Sequence, residues 1–424
     1  MAVQAQAIQA RKAPSVKWRD LLVTAGILLL GVIILLLAHY GEQPTDQSAF
    51  TDQTLGKLFS LPSQTTLYVI GALCMALGGL RLVRGLRALR SFAGWLLACL
   101  AAFGFLVWVT SGESLNLSGM LQDTLILATP LVLGGLAGIF CERSGVFNIA
   151  IEGMMLSAAF TAAVFASMVD NLWLGLLIGV LTGGLMATLH AWLSIKYKVD
   201  QIISGTVINI LAAGATRFLN VRLADPAGMS SPGSFGPIPI PPLNQIPIIG
   251  PILFNNEPTV YIMLILLPIV QWVIFSTPWG LRMRACGEHP RAADTVGVHV
   301  NRMRYISVII GGMIAGIGGA YFSIGEVGSF EDNMTRGAGF IALAAMIFGN
   351  WNPFGVFGAA LLFGFADALQ HKMQIIQPVL PFIDKPLPPY FLQMTPYILT
   401  IIVLAGVIGR AMPPAAGGKP YEKQ

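Results

Sequence analysis

The chain has 424 residues, of which 55% are hydrophobic and 11% are Asp, Glu, Lys or Arg, and its formal net charge is +5. Soluble domains carry about 25% charged residues, so the roughly three soluble domains that such a length suggests are excluded, because so few charges cannot coat that much surface. The same numbers exclude disorder, a collagen and a disulfide scaffold, and a mean hydropathy of +0.72 points to an all-α polytopic membrane protein.

Residues 1–20 carry Arg11, Lys12, Lys17 and Arg19 and precede an apolar run from Leu21 to Ala38. A cleaved signal peptide has an apolar stretch of about 7–15 residues and then a small-x-small site. This run is longer, and the HYGEQP after it offers no such site, which predicts an uncleaved first span behind a cytoplasmic N-terminus. A helix needs about 20 apolar residues to cross the hydrocarbon core. Spans are predicted at 21–38, 66–82, 93–109, 121–140, 150–169, 172–193, 202–219, 260–277, 305–325 and 392–409. A shorter pair, 339–349 and 356–371, is split by FGNWNPFG and reads as broken helices, whose irregular backbone must be buried in protein or line a cavity. The total is about 12 transmembrane segments. They divide into an N-terminal membrane region with extra spans (21–119), a core (120–410) and a cytoplasmic tail (411–424).

Lys and Arg set the orientation. With the N-terminus inside, the inner side receives the four N-terminal residues, Arg81, Arg84, Arg87, Arg90, Arg143, Lys196 and Lys198. It also receives Arg282, Arg284, Arg291, Arg302 and Arg304 of loop 278–304, and Arg410, Lys419 and Lys423 of the tail. Of the 25 Lys and Arg residues, Lys57, Arg217, Arg222, Arg336, Lys372 and Lys385 remain for the outer side. Both termini are then cytoplasmic. Cys74, Cys99, Cys141 and Cys286 fall in no outward loop, so they read as small apolar side chains and not as a disulfide framework. The outward PGSFGPIPIPPLNQIPIIGPI is too rich in Ile and Leu for a solvated linker and predicts an ordered external ledge. Trp173, Trp192, Trp272 and Trp279 lie near span ends, as interfacial anchors do, and His190 reads as an interfacial side chain.

Two stretches share a plan. LVLGGLAGIF leads into CERSGVFNIAIEG and a second helix; VIIGGMIAGIGGAYF leads into SIGEVGSFEDNMTRGAG and another. One connector faces in and the other out, the pattern of an inverted repeat with a path near its axis. Chance likeness between Gly-rich membrane helices is the competing explanation.

The inward loop PWGLRMRACGEHPRAADTVGVHVNRMR is the most informative segment. Pro290 suits a first helical position and Gly297 the position past a helix end, so 290–296 is predicted as a short helix between basic anchors. Such a peg on the cytoplasmic face suits docking into another protein's groove, and a charge at Ala293 is the substitution the sequence offers to disrupt it. A solvated basic loop is the plainer alternative.

These residues resemble a known family. GEHPRAADTVGVHV resembles the cytoplasmic coupling loop of ABC-importer permeases of the sugar, nucleoside and branched-chain amino-acid type. ERSGVFNIAIEGMML, DQIISGTVINILAAGATRFL and GAGFIALAAMIFGNWNPFGVFGAALLFGFADALQ are similar to the nucleoside and simple-sugar branch, and there to its second, shorter permease. The resemblance covers residues 120–410. It implies coupling to an ATPase through Gly287, Glu288, His289, Pro290, Arg291, Ala292, Ala293, Asp294 and Gly297. It also implies a second related permease (or a second copy of this chain), an extracytoplasmic solute-binding protein and a bacterial inner membrane. His289 stands where the family usually has Asn, and the three spans before residue 120 exceed the usual single lead-in span. No G-x-x-x-x-G-K-[ST] loop is present; GGKP at 417–420 has the wrong spacing. The chain is therefore expected to bind no cofactor and to be no enzyme, with ATP used by the partner ATPase.

Polar groups within spans are costly and often functional. Asn148, Glu152, Asn209 and Asp367 are the candidates for a substrate path, since Asn and Glu can hold sugar hydroxyls or base edges. Asn148 and Glu152 lie four apart, on one face if their helix includes both. The alternative is that such groups satisfy broken-helix backbone or pair with an Arg, for instance Glu152 or Glu142 with Arg143. Glu331, Asp332, Asn333 and Arg336 on the outward connector are candidates for receptor contact, with a solvated loop as the alternative. A secondary ion-coupled transporter using Glu152 and Asp367, and an intramembrane enzyme using the same carboxylates, are the rival classes. No His-rich or Cys-rich cluster supports the enzyme.

Overall fold

A computed structural model describes residues 18–41, 45–52, 55–82, 96, 100, 103–376, 379–380, 385–386, 388–394 and 412–422. The chain divides into two compact units, residues 1–117 with 373–389 and residues 118–372 with 390–424. Seven described helices are long and apolar enough to cross a membrane, with Thr24–Tyr40 and Ala338–Phe348 as shorter apolar helices. The predicted span 392–409 lies outside the described residues beyond 394, as does most of 93–102.

In the first unit, α1 (Trp18–Tyr40) and α2 (Ser63–Leu82) flank an antiparallel hairpin, β1 (Gln47–Asp52) and β2 (Gly56–Pro62). β3 (Ser114–Asn116) adds to β1 in parallel. The two helices approach through Gly31, where a Cβ would meet Met75 and the Gly71 carbonyl. The hairpin occupies the connector between the first two predicted spans. Its signal is the alternation in QSAFTD, which buries Ser48, Phe50 and Asp52, with Phe50 against Phe59 and Phe103.

The second unit begins with α3 (Leu117–Arg143) and α4 (Ile151–Val169). α5 (Leu172–Ala191) continues as a π-helical turn over Trp192–Lys196, and α6 (Gln201–Leu219) as another over Asn220–Ala224. After the short α7 (Ile249–Phe254) come α8 (Pro258–Ser276), α9 (Pro278–Glu288) and α10 (Pro290–Thr295). α11 (Val300–Ala320) ends in a third π-helical turn, Tyr321–Val327, and is followed by α12 (Ala338–Phe348) and α13 (Pro353–Ile376). Side-chain caps explain several starts. Asn171 takes the Trp173 and Leu174 N–H groups, and Asp200 those of Ile202 and Ile203. Thr277 takes the Gly280 N–H at 3.1 Å, with Pro278 at the first position of α9. Of the pair predicted as short, only α12 is short. α13 has 24 residues, because Pro353 starts it three residues early and it continues through His371 and Lys372, polar residues that interrupt the apolar run.

α4, α5 and α11 form the tightest bundle, because small residues bring their backbones together. A Cβ on Gly183 of α5 would clash with the Gly312 carbonyl and stand 2.8 Å from the Gly316 Cα on α11. In lipid this close packing substitutes for a hydrophobic driving force between helices. Hydrogen bonds and ion pairs also sort the connectors into two ends. One end gathers 143–147, 196–201, 277–300, 349–352 and 412–422. The other gathers 220–257 and 321–337, where the Phe235 N–H reaches the Ile324 carbonyl and the Phe330 N–H reaches Ser230. The Pro-rich stretch is thus an ordered ledge whose start, Gly233 and Phe235, docks on 321–330 and whose Ile238 pairs with Asn256.

Candidate functional site

α4 does not run on from α3. The Oδ1 of Asn148 takes the Ala150 N–H at 3.1 Å, a local turn that competes with helix, and α4 starts only at Ile151. Asn148 therefore lies before the helix, so it does not share a helical face with Glu152. It is fully buried, and its Nδ2 points to Cys141 Sγ at 3.3 Å and Met154 Sδ at 3.6 Å. Asn209 on α6 clasps the same helix start: its Oδ1 accepts from the Gly153 N–H at 2.8 Å and its Nδ2 donates to the Ile149 carbonyl at 2.9 Å.

Glu152, 7% exposed, spans from the first turn of α4 to the first turn of α12. Its Oε1 accepts from the Thr335 hydroxyl at 2.6 Å and the Gly337 N–H at 2.9 Å, and its Oε2 from the Gly339 N–H at 2.7 Å. Two helix N-termini, each carrying partial positive charge, share one carboxylate. Gly339 is required there, since a Cβ would lie 2.6 Å from the Glu152 backbone. Asn148, Glu152 and Asn209 are thus gathered around one junction and committed to backbone. Asp367, half-buried on α13, makes none of these bonds among the described residues. Neither acid pairs with Arg143 as the sequence had suggested. Glu142 accepts from the Trp351 indole at 2.7 Å, and Arg143 donates to the Trp351 carbonyl at 3.1 and 3.2 Å. His190 is buried, not interfacial, tied to the Phe147 carbonyl and Ser204.

At the Arg143 end, α9 and α10 fold back across the bundle. Gly287 lies against the Arg143 carbonyl, which leaves no room for a Cβ. His289 is the residue before α10 and makes no side-chain cap. Pro290 opens α10, and Gly297, at φ +86°, turns the chain out of it. Ala293 faces inward, 3% exposed, against Cys286 and Val300. Burial pushes the Cys286 thiol up to about 11. Arg291, Ala292 and Val296 face outward, Val296 at 78% exposure. Ala293 is therefore the wrong position for a surface charge, because a carboxylate there would be buried. Glu288 accepts from the Ala415 N–H at 3.2 Å, and Asp294 faces the Tyr421 hydroxyl.

At the opposite end, Glu331, Asp332, Asn333 and Arg336 form the exposed tip of the turn before α12. Arg336 lies 3.9 Å from Glu331, and Arg217 of α6 lies 3.4 Å from Asp332. Asn333 and Arg336 both have positive φ. That tight turn delivers Thr335 to Glu152 beneath it. Burial, then the neighbouring Glu326, pushes the Glu257 carboxyl up to about 7. Among the described residues, no group of three or more His, Cys, Asp and Glu could hold a metal ion.

Comparison with known proteins decides the class. The family model described as the permease component of the branched-chain amino acid transport system matches residues 120–413. The chain is 43% identical over 315 residues to the guanosine ABC transporter permease protein NupQ of Bacillus subtilis, covering 72% of this chain and 97% of that protein. The chain belongs to the ABC-transporter permease family. It is also 39% identical over 311 residues to the nucleoside ABC transporter permease protein NupC of Lactococcus lactis, covering 72% and 96%. Over 304 residues it is 35% identical to the putative glucose ABC transporter permease protein TsgC13 of Haloferax volcanii, covering 69% and 92%. No solved structure matches.

As an ABC permease the protein is a multi-pass transport component that is not itself catalytic, and its family implies an ATPase and a binding protein as partners. Several residues that organise this permease escaped the sequence reading. The 412–422 tail left no hydropathy signal at all. The α9 start was visible as Thr277-Pro278, a capping residue ahead of a proline. Thr335 and Gly337 could not be found without the fold, because their role depends on Glu152 more than 180 residues earlier.

Proposed function

We propose that this chain is the permease of an ATP-driven importer for nucleosides or a related simple sugar. The observation that carries this reading is the likeness, over nearly the whole of their own length, to permeases named for guanosine and for nucleosides. The Lys and Arg distribution supports the orientation. Arg143, Lys196, Lys198, Arg282, Arg284, Arg291, Arg302, Arg304 and Lys419 belong to the α10 end, against Arg217, Arg222, Arg336 and Lys372 at the other. The α10 end is then cytoplasmic, both termini are inside a bacterial plasma membrane, and α10 is the coupling helix for the ATPase. The 331–336 turn faces a solute-binding protein. A second, related permease closes the path, and the chain crosses the membrane about 12 times.

The two connectors that return to the start of α4 and of α12, one from each end, support an inverted repeat with Glu152 at its junction. In this reading Asn148, Glu152 and Asn209 shape the path by holding its broken helices, and Asp367 is left to face solute. The commitment of Glu152 to three donors also argues against an ion-coupled carrier built on that carboxylate.

Reconstitution with the ATPase and binding protein tests the assignment. ATP-dependent uptake from a panel of nucleosides and sugars is expected. Uptake that needs an ion gradient and ignores ATP overturns it. Val296→Glu, at the exposed C-terminal end of α10, is expected to insert normally yet lower ATPase association and uptake at least tenfold.

A further inference from the structure

The C-terminal segment 412–422 is bound to the α10 end throughout its length. The Met412 N–H donates to Asn350 at 3.1 Å, the Ala415 N–H to Glu288 at 3.2 Å and the Ala416 N–H to the Gly287 carbonyl at 2.8 Å. Arg304 donates to the Lys419 carbonyl at 3.0 Å, and Gly417 and Gly418 close onto the Phe147 ring. Tyr421 packs on the cluster of Cys286, Ala293 and Val300, on the inward side of α10. Glu422 pairs with Lys198 from the α5–α6 connector, and that lysine holds the Glu422 carboxyl below its usual range. The segment thus ties three connectors and α11 to the base of α10, and the family match ends at residue 413, just as it begins.

Between the segment and α10 lies an open cavity of about 660 Å³. Pro290, Ala292, Ala416, Pro420 and Tyr421 supply apolar lining, while Glu288, Arg291, Lys419 and Glu422 supply charges of both signs. An apolar floor with a charged rim is the pattern that receives an anchoring side chain from a protein partner and excludes water around it. Exposure at the basic end means that a soluble protein on that side reaches it, and α10 is itself one wall.

We propose that residues 412–422 are the second wall of the ATPase-docking groove, so that the ATPase subunit engages the tail and α10 together. This rests on the reading of α10 as the coupling helix. Two measurements on the full permease with its ATPase test it. In Lys419→Cys, a short bifunctional crosslinker is expected to join position 419 to the bound ATPase. In Tyr421→Ala/Glu422→Lys, which leaves the backbone bonds of 412–420 in place, ATPase affinity is expected to fall at least tenfold. Bound ATPase without a crosslink, or unchanged affinity in the double variant, overturns the proposal. Val296→Glu separates the two readings. If it leaves affinity unchanged the coupling-helix assignment fails, whereas if it alone lowers affinity the assignment stands and the tail's role is lost.

Discussion

At Glu152, one carboxylate takes the Thr335 hydroxyl and the Gly337 and Gly339 N–H groups, so its removal leaves three donors without their partner. Each stranded donor costs about 1–3 kcal/mol. Glu152→Ala is therefore expected to destabilise the permease by upwards of about 3 kcal/mol, read as a drop in the thermal unfolding midpoint in detergent. Glu152→Gln keeps an acceptor oxygen and should lose less. Equal losses in the two variants would count against a role set by these bonds. The sequence marked Glu152, Asn148 and Asn209 as costly polar groups in apolar surroundings. It could not say whether they face solute or backbone, because that depends on partners brought from α12 and α6.

Hydropathy located nearly every long helix of the second unit, since a span must be apolar along its whole length whatever it packs against. It missed α9, whose charged residues lie outside any span, and the π-helical extensions of α5, α6 and α11. Those extensions are backbone adjustments with no compositional mark. The α5–α11 contact was legible only as an abundance of Gly. Its pairing, Gly183 against Gly312 and Gly316, needed the fold. Gly183→Val forces those backbones apart, and the expected result is loss of monodisperse protein on size exclusion. Normal yield and elution would mean that the helices tolerate separation.

Across the whole chain, the relatives cover their own lengths almost fully while leaving more than a quarter of this chain unmatched. The family match begins at residue 120, and residues 118–372 with 390–424 form one compact unit. A chain lacking residues 2–112 is therefore expected to insert and retain its ATPase. Failure to retain it, with insertion intact, would give the N-terminal region a part in assembly.

Composition and hydropathy alone determined a helical membrane protein, since so few charges leave no other solvent for its surface, and the spread of Lys and Arg determined an asymmetry between its two sides. Motif likeness added the permease family. Only the tertiary structure decided that α4 and α12 start against a shared carboxylate, that Ala293 is buried while Val296 is exposed, and that the tail closes on the 278–304 loop. Each of these depends on segments far apart in the chain, and a side chain's direction and hydrogen-bond partners are set by what packs beside it.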